Sequence, residues 1–210
     1  MFARRAVRCA AAISLTLFGS GCGSKRVLVP ARVDLRPHGR LALVTFTIEN
    51  AKGSLHTFAT QRFSEAVLAA QPGIEILEVG AADSLIARVG ESDFGPHAAK
   101  ALGERHQVPV VFVGHLKVSD VKPTAQLFGG GLPRISAKVT VQLSVRLVST
   151  TSGGSLWRSS FTATETVGQL GLAGGEPFFS AQDPNEAYGQ LVGYLVNQVT
   201  WDFRPTWQKP

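Results

Sequence analysis

Ala137-Lys-Val-Thr-Val-Gln-Leu-Ser-Val-Arg-Leu147 decides the fold. Every odd position from Val139 to Leu147 is apolar, and every even position from Lys138 to Arg146 is polar. Side chains on a strand point alternately to opposite faces, so this is a strand with one buried and one wet face. Ser149-Thr-Thr-Ser-Gly-Gly154 follows, a turn with two glycines able to take positive φ. The alternation then resumes. Trp157, Ser159, Phe161 and Ala163 share one face, and Arg158, Ser160, Thr162 and Thr164 share the other. The stretch 137–167 therefore predicts a long β-hairpin whose apolar face packs on the rest of the chain, with Trp157 on the core side.

The segments upstream supply that packing. Leu41–Ile48 (LALVTFTI) is nearly continuous apolar and reads as one central strand buried on both faces. Ser54 is placed to cap a helix over 55–70, with Leu55, Phe58, Ala59, Phe63, Ala66, Val67 and Ala70 on one stripe. Thr57, Gln61 and Ser64 fall on the opposite side, and Gln71-Pro-Gly73 ends the helix. A second strand is expected over 74–79, short helices over 81–89 and 96–107, and a third strand over 108–121. The order β-α-β-α-β predicts parallel strands joined by right-handed crossovers. Two Gly-containing stretches, 122–134 and 168–183, read as loops, and Pro184–Trp201 as a final helix with Ala187, Leu191, Leu195 and Val199 along one edge. The expected fold class is thus α/β, a two- or three-layer domain with a mixed sheet, the long antiparallel hairpin and a C-terminal helix.

The N-terminus carries a different signal. Residues 1–8 are basic and 9–18 apolar, the layout of a signal peptide and too short to span a bilayer as a helix. Phe18-Gly-Ser-Gly-Cys22 then resembles the lipobox of bacterial lipoproteins, in which small residues precede the cysteine that is acylated. That resemblance implies a removable leader over 1–21, lipidation at Cys22, a tether over 22–40, a periplasmic domain over 41–201 and an irregular tail over 202–210. Gly23 after the cysteine leans the expectation towards the outer membrane. Acyl chains on Cys22 would give stable membrane attachment where a single chain would not. The only other cysteine, Cys9, lies in the leader, so the mature chain can form no intramolecular disulfide.

Charge excludes one class of function. The formal charge of the 210 residues is +6, but Arg4, Arg5 and Arg8 lie in the leader. Removing these three leaves 18 basic against 15 acidic residues, a net +3, too mild to indicate nucleic acid.

Three features together carry a further resemblance. Leu41-Ala-Leu-Val-Thr-Phe46 is an early strand followed by a helix. Ala101-Leu-Gly103 leads into Val110-Val-Phe-Val-Gly114, a helix running into a glycine-terminated strand. Val141-Gln-Leu-Ser-Val-Arg-Leu-Val148 and Ser152-Gly-Gly-Ser-Leu-Trp157 form a hairpin whose turn leads into Leu-Trp. Over residues 40–201 this resembles the periplasmic α/β domain shared by the curli-secretion lipoprotein, the lipoprotein activator of class A penicillin-binding proteins, and the N-terminal domain of the Tol-system β-propeller protein. The resemblance implies a fold, and with it an assembly module that works on an envelope protein partner or on copies of itself. The stretch between the third strand and the hairpin, about a dozen residues, is shorter than the insertions with which a secretion pore builds its barrel. No propeller repeats follow the domain.

The residues show no catalytic set. His38, His56, His97, His106 and His115 form no metal-binding spacing, no Gly-x-Ser-x-Gly elbow is present, and Gly129-Gly-Gly131 lacks the Lys-Ser/Thr of a phosphate loop. The expectation is no enzyme, no metal and no cofactor; an envelope hydrolase using Asp83, Asp93 or His97 is the alternative. The candidate partner contacts are apolar residues among loop glycines, namely Leu127, Phe128, Leu132, Phe178 and Phe179. They either meet a partner or fold back over a sheet face.

Overall fold

The computed structural model describes residues 26–50, 54–83, 86–87, 94–119, 122–127, 133–173, 176–181 and 184–209. The strands are β1 (Val27–Val29), β2 (Arg40–Leu43), β3 (Thr47–Glu49), β4 (Glu75–Glu78), β5 (Val110–Val118), β6 (Lys122–Leu127), β7 (Pro133–Ser149), β8 (Ser155–Ala173), β9 (Glu176–Ala181) and β10 (Thr206–Gln208). The helices are α1 (Leu55–Ala70), α2 (Pro96–His106) and α3 (Pro184–Val199), with single 3-10 turns at Arg36–His38 and Trp201–Phe203. The chain forms two units. One is the antiparallel ribbon of β1 and β10, registered Val27↔Gln208 and Leu28↔Trp207. The other spans Pro30–Pro205.

The larger unit is α/β with a mixed sheet of order β4-β2-β5-β7-β8-β9. β2 runs parallel to β4 and to β5, as the β-α-β-α-β reading requires. β7 is antiparallel to β5 and to β8. The hairpin is longer than the alternation shows. β6 pairs with β7 beyond the end of β5, and β9 pairs with the distal part of β8. The stretches 122–134 and 168–183, expected as loops, therefore consist largely of strand. At Ser149–Gly154 the turn closes as expected: Gly153 N–H donates to Ser149 C=O at 2.8 Å, and Gly153 takes φ +73°.

Two apolar layers hold the sheet. On one face Leu41, Leu43, Phe112, Leu116 and alternate residues of β7 from Val139 to Leu147 meet Phe63 and Val67 of α1 and Leu191, Leu195 and Val199 of α3. On the other face Ala42, Val44, Val111 and Val148 meet Ala98, Ala99 and Leu102 of α2. Gly103 of α2 lies against Thr150, whose hydroxyl donates to Val108 C=O at 2.6 Å; a Cβ on Gly103 would stand 2.4 Å from the Thr150 Cβ. Small residues along α2 thus let that helix sit close to the sheet.

Several expectations change. Leu41–Ile48 is two strands, not one. Thr45 N–H donates to Gly80 C=O at 2.9 Å and Phe46 N–H to the Thr60 hydroxyl at 2.9 Å, so both amides leave the ladder. Phe46 then lies across β5 at Gly114, where a Cβ would stand 2.4 Å from the ring. Ser54 makes no side-chain cap on α1, which begins instead with Phe58 N–H donating to the Ser54 carbonyl. Ser64, expected on the wet side, is buried.

The stretch 22–40 is not all tether, because Leu35 is fully buried and Val33 packs on the core. The tail is not irregular either: Phe203 is fully buried and β10 pairs with β1. Only a turn of the helix expected over 81–89 is described, with Ile86 N–H donating to Ala82 C=O. Among the described residues no helix is long and apolar enough to cross a membrane.

Candidate functional site

The β7–β8 hairpin turns one face to the core. Its other face is a polar surface, which α2 covers only at one end. Along it the hydroxyls of Thr140 and Thr164 lie 2.8 Å apart, as do those of Ser144 and Ser160, and the Gln142 amide donates to Ser160 at 3.2 Å. One step further towards the turn, Arg146 stands directly opposite Arg158. Cross-strand neighbours on one face interact, so these pairs zip the surface with neutral hydrogen bonds until the two arginines meet.

Where this face meets the start of α2 there is a cleft of about 710 Å³, lined among others by Asp83, Phe94, His115, Arg146 and Arg158. An Arg146 Nη2–H donates to the Phe94 carbonyl. Beside the cleft, β3 and β5 carry a small network. Lys117 Nζ–H donates to Glu49 at 3.0 Å, His115 Nε2 lies 3.4 Å from the same carboxylate, and His115 Nδ1 lies 2.8 Å from the Thr47 hydroxyl. The Lys117 hydrogen bond, with a smaller one from His115, holds the Glu49 carboxyl below its ordinary range despite some desolvation. His115 is thus a hydrogen-bonded surface histidine.

The outer edge of β8 is the second feature. β9 pairs only with Gly168–Ala173, so 155–167 has β7 on one side and no strand on the other among the described residues. Leu156 and Phe161 on this segment are 53% and 40% exposed. Trp157 is turned into the core. Its ring packs on Phe112 and Phe203, and its Nε1–H donates to Asp202 at 3.0 Å. Phe161 shares the face of Trp157 but is not covered as Trp157 is.

The residues expected to meet a partner fall as follows. Leu127 lies at the end of β6 opposite Pro133, and Phe178 and Phe179 lie on β9 opposite Gly171 and Leu170. These three are strand residues, not loop residues. Phe128, Leu132 and Cys22 lie outside the described residues. Of the alternative catalytic set, Asp83 lines the cleft, His97 stands in the first turn of α2, and Asp93 lies outside the described residues. No group of three or more His, Cys, Asp or Glu placed to hold a metal ion occurs among the described residues.

Sequence reasoning missed the open edge and the arginine pair. A signal for the pair existed, since Arg146 and Arg158 lie six residues either side of Ser152 in the turn, which is the arithmetic of a hairpin register.

No protein-family model matches the chain. No curated protein matches it. Among solved structures it is similar to the PelC dodecamer from Paraburkholderia phytofirmans, at 14% identity over 86% of this chain and 96% of that one, TM-score 0.46. It is also similar to lipoprotein GNA1162 from Neisseria meningitidis, at 18% identity over 77% and 98%, TM-score 0.41. A third is the LpoB C-terminal domain from Salmonella enterica, at 15% identity over 64% and 84%, TM-score 0.36. Bacterial lipoproteins are thus among the chains it is similar to, and likeness at this level concerns the order of strands and helices alone.

Proposed function

We propose that this chain is a lipid-anchored binding or assembly module of the bacterial cell envelope, acting by protein–protein contact and carrying out no catalysis. The observation that supports this most is the open edge of β8. An unpaired edge presents a row of backbone N–H and C=O groups to any extended segment, and soluble proteins usually blunt such edges with proline, lysine or a short strand. Residues 155–167 contain neither proline nor lysine and expose Leu156 and Phe161. An extended segment of a partner added there would gain main-chain hydrogen bonds, with side-chain pockets giving selectivity.

A photo-crosslinking residue at Thr162, in the full chain expressed in cells, tests this. The expected result is a discrete adduct, absent when the probe replaces Gln61 on α1 and lost when Phe161→Lys is added. No adduct at any position from Leu156 to Thr164 would overturn the reading. An adduct at twice the chain's mass would assign the edge to self-association, the homo-oligomeric form of the same proposal.

The anchor is the second part. Acylation of Cys22 would hold the chain on a membrane, with the domain facing the periplasm, and Gly23 favours the outer membrane. Cys22→Ala is expected to leave the domain folded and to move the protein from the membrane pellet to the soluble fraction. Unchanged fractionation of that variant would remove the anchor from the proposal.

A further inference from the structure

We propose that the cleft between α2 and the polar face of the β7–β8 hairpin is a binding site for an oxyanion, a carboxylate or phosphate group carried by a small molecule. This goes beyond the strand-edge reading and does not depend on it.

The first observation is the register. Arg146 and Arg158 are direct cross-strand neighbours. Like charges in that position repel, and the neighbouring pairs on the same face are hydroxyls, which meet without repulsion. The second is the missing counter-charge. Arg146 gives a hydrogen bond to the Phe94 carbonyl, which is neutral. Arg158 makes no hydrogen bond or ion pair among the described residues. The nearby Glu49 carboxylate already accepts from Lys117 at 3.0 Å and lies 3.4 Å from His115 Nε2. Among the described residues Asp83 is the one carboxylate in the lining, and it makes no hydrogen bond or ion pair with any of them. Among the described residues, two guanidinium groups thus stand against one carboxylate in the cleft.

The third observation is shape. A cleft of about 710 Å³ is in the range of small-molecule sites, which run to roughly 300–1,000 Å³. Its lining sets the Ser144 and Ser160 hydroxyls and the two arginines beside the apolar side chains of Val113 and Phe94. A guanidinium offers a planar fork of N–H donors that matches two oxygens of a carboxylate or phosphate. With Phe94 holding Arg146 in place, an oxyanion between the two side chains would accept from both and relieve their repulsion. The rest of the ligand would lie against Val113 and Phe94.

The test uses the full chain in detergent, titrated with inorganic phosphate and separately with citrate. Ionic strength is held constant with sodium chloride, and binding is followed by backbone amide chemical shifts. The expected result is a saturable shift confined to residues around Ser144, Arg146, Arg158 and Ser160. Arg158→Gln should weaken it about tenfold or more, and Arg62→Gln, on the opposite helical layer, should leave it unchanged. Arg146→Gln should act in the same direction; because that side chain also holds Phe94, the exposed Arg158 carries the decision. Saturation by phosphate alone assigns a phosphate ligand, and by citrate alone a carboxylate. Shifts that grow linearly with both anions, or an Arg158→Gln variant that binds as tightly as the parent, would overturn the proposal.

Discussion

Phe112→Ala should destabilise the domain by about 3–5 kcal/mol, the range for truncating a buried aromatic ring. Phe112 is fully buried in the first half of β5. Its ring meets Phe63 of α1 edge-on at 5.1 Å, Phe203 at 5.8 Å and Trp157 of β8 at 6.3 Å. Phe63 continues the chain to Phe46 at 5.4 Å, and Trp157 closes it on Phe203 at 4.6 Å. One side chain thus joins helix α1, the central strand, the hairpin and the C-terminal turn, and edge-to-face pairs add to the area each ring buries.

Its removal leaves a cavity with walls from four elements, which cannot collapse together. A domain of this size is stable by about 5–15 kcal/mol, so the loss is a large share of the total. Urea unfolding followed by tryptophan fluorescence measures it, and Phe112→Leu should cost distinctly less. A loss under about 1 kcal/mol for the alanine variant would mean that the rings pack independently.

Most of this cluster was visible in the sequence. Phe63 falls on the apolar stripe of α1, Phe112 lies in a continuous apolar strand, and Trp157 sits on the core side of an alternating one. Phe203 carried no such signal, because a single apolar residue in a short irregular stretch has no period to reveal its face. Leu35 was hidden for the same reason. The parallel strands and the hairpin were legible because each buries a face along many residues.

The ends of β7 and β8 were not legible. In Gly168-Gln-Leu-Gly-Leu-Ala173 the two glycines remove the side chains on which an alternation argument depends, and the strand is defined by its pairing with β9. Pairing is also what hid the candidate sites. The alternation of 155–166 shows which side chains face the core, but not whether another strand lies beyond. The opposition of Arg146 and Arg158 belongs to the register of two strands, not to either strand read alone.

Gln71→Leu should cost about 3 kcal/mol or more, through hydrogen bonds and not through volume. The sequence marks Gln71 only as the residue before Pro72 and Gly73 at the end of α1. In the fold its side chain is buried and binds three backbone groups. Oε1 accepts from Leu35 N–H at 2.7 Å, and Nε2 donates to the carbonyls of Val33 and of Phe203, the latter at 3.1 Å. One amide therefore ties the segment before β2 to the turn after α3.

Leucine fills similar space but leaves one N–H and two C=O groups without this partner. A buried polar group left unpaired costs about 1–3 kcal/mol. The backbone bond from Gln71 N–H to Val67 C=O survives the change, so α1 itself should remain intact. The loss should appear first as local opening at the two ends. The Leu35 amide should exchange with solvent much faster in the variant, while amides in the middle of β5 and β7 follow only the smaller global stability. Water reaching the three groups would soften the loss, and it would do so by exposing Leu35 and Phe203, both fully buried in the parent. Urea midpoints together with amide exchange separate these effects. An unchanged Leu35 exchange rate with a loss under about 1 kcal/mol would show that the chain ends are held by the packing of Leu35 and Phe203, with the amide contributing little.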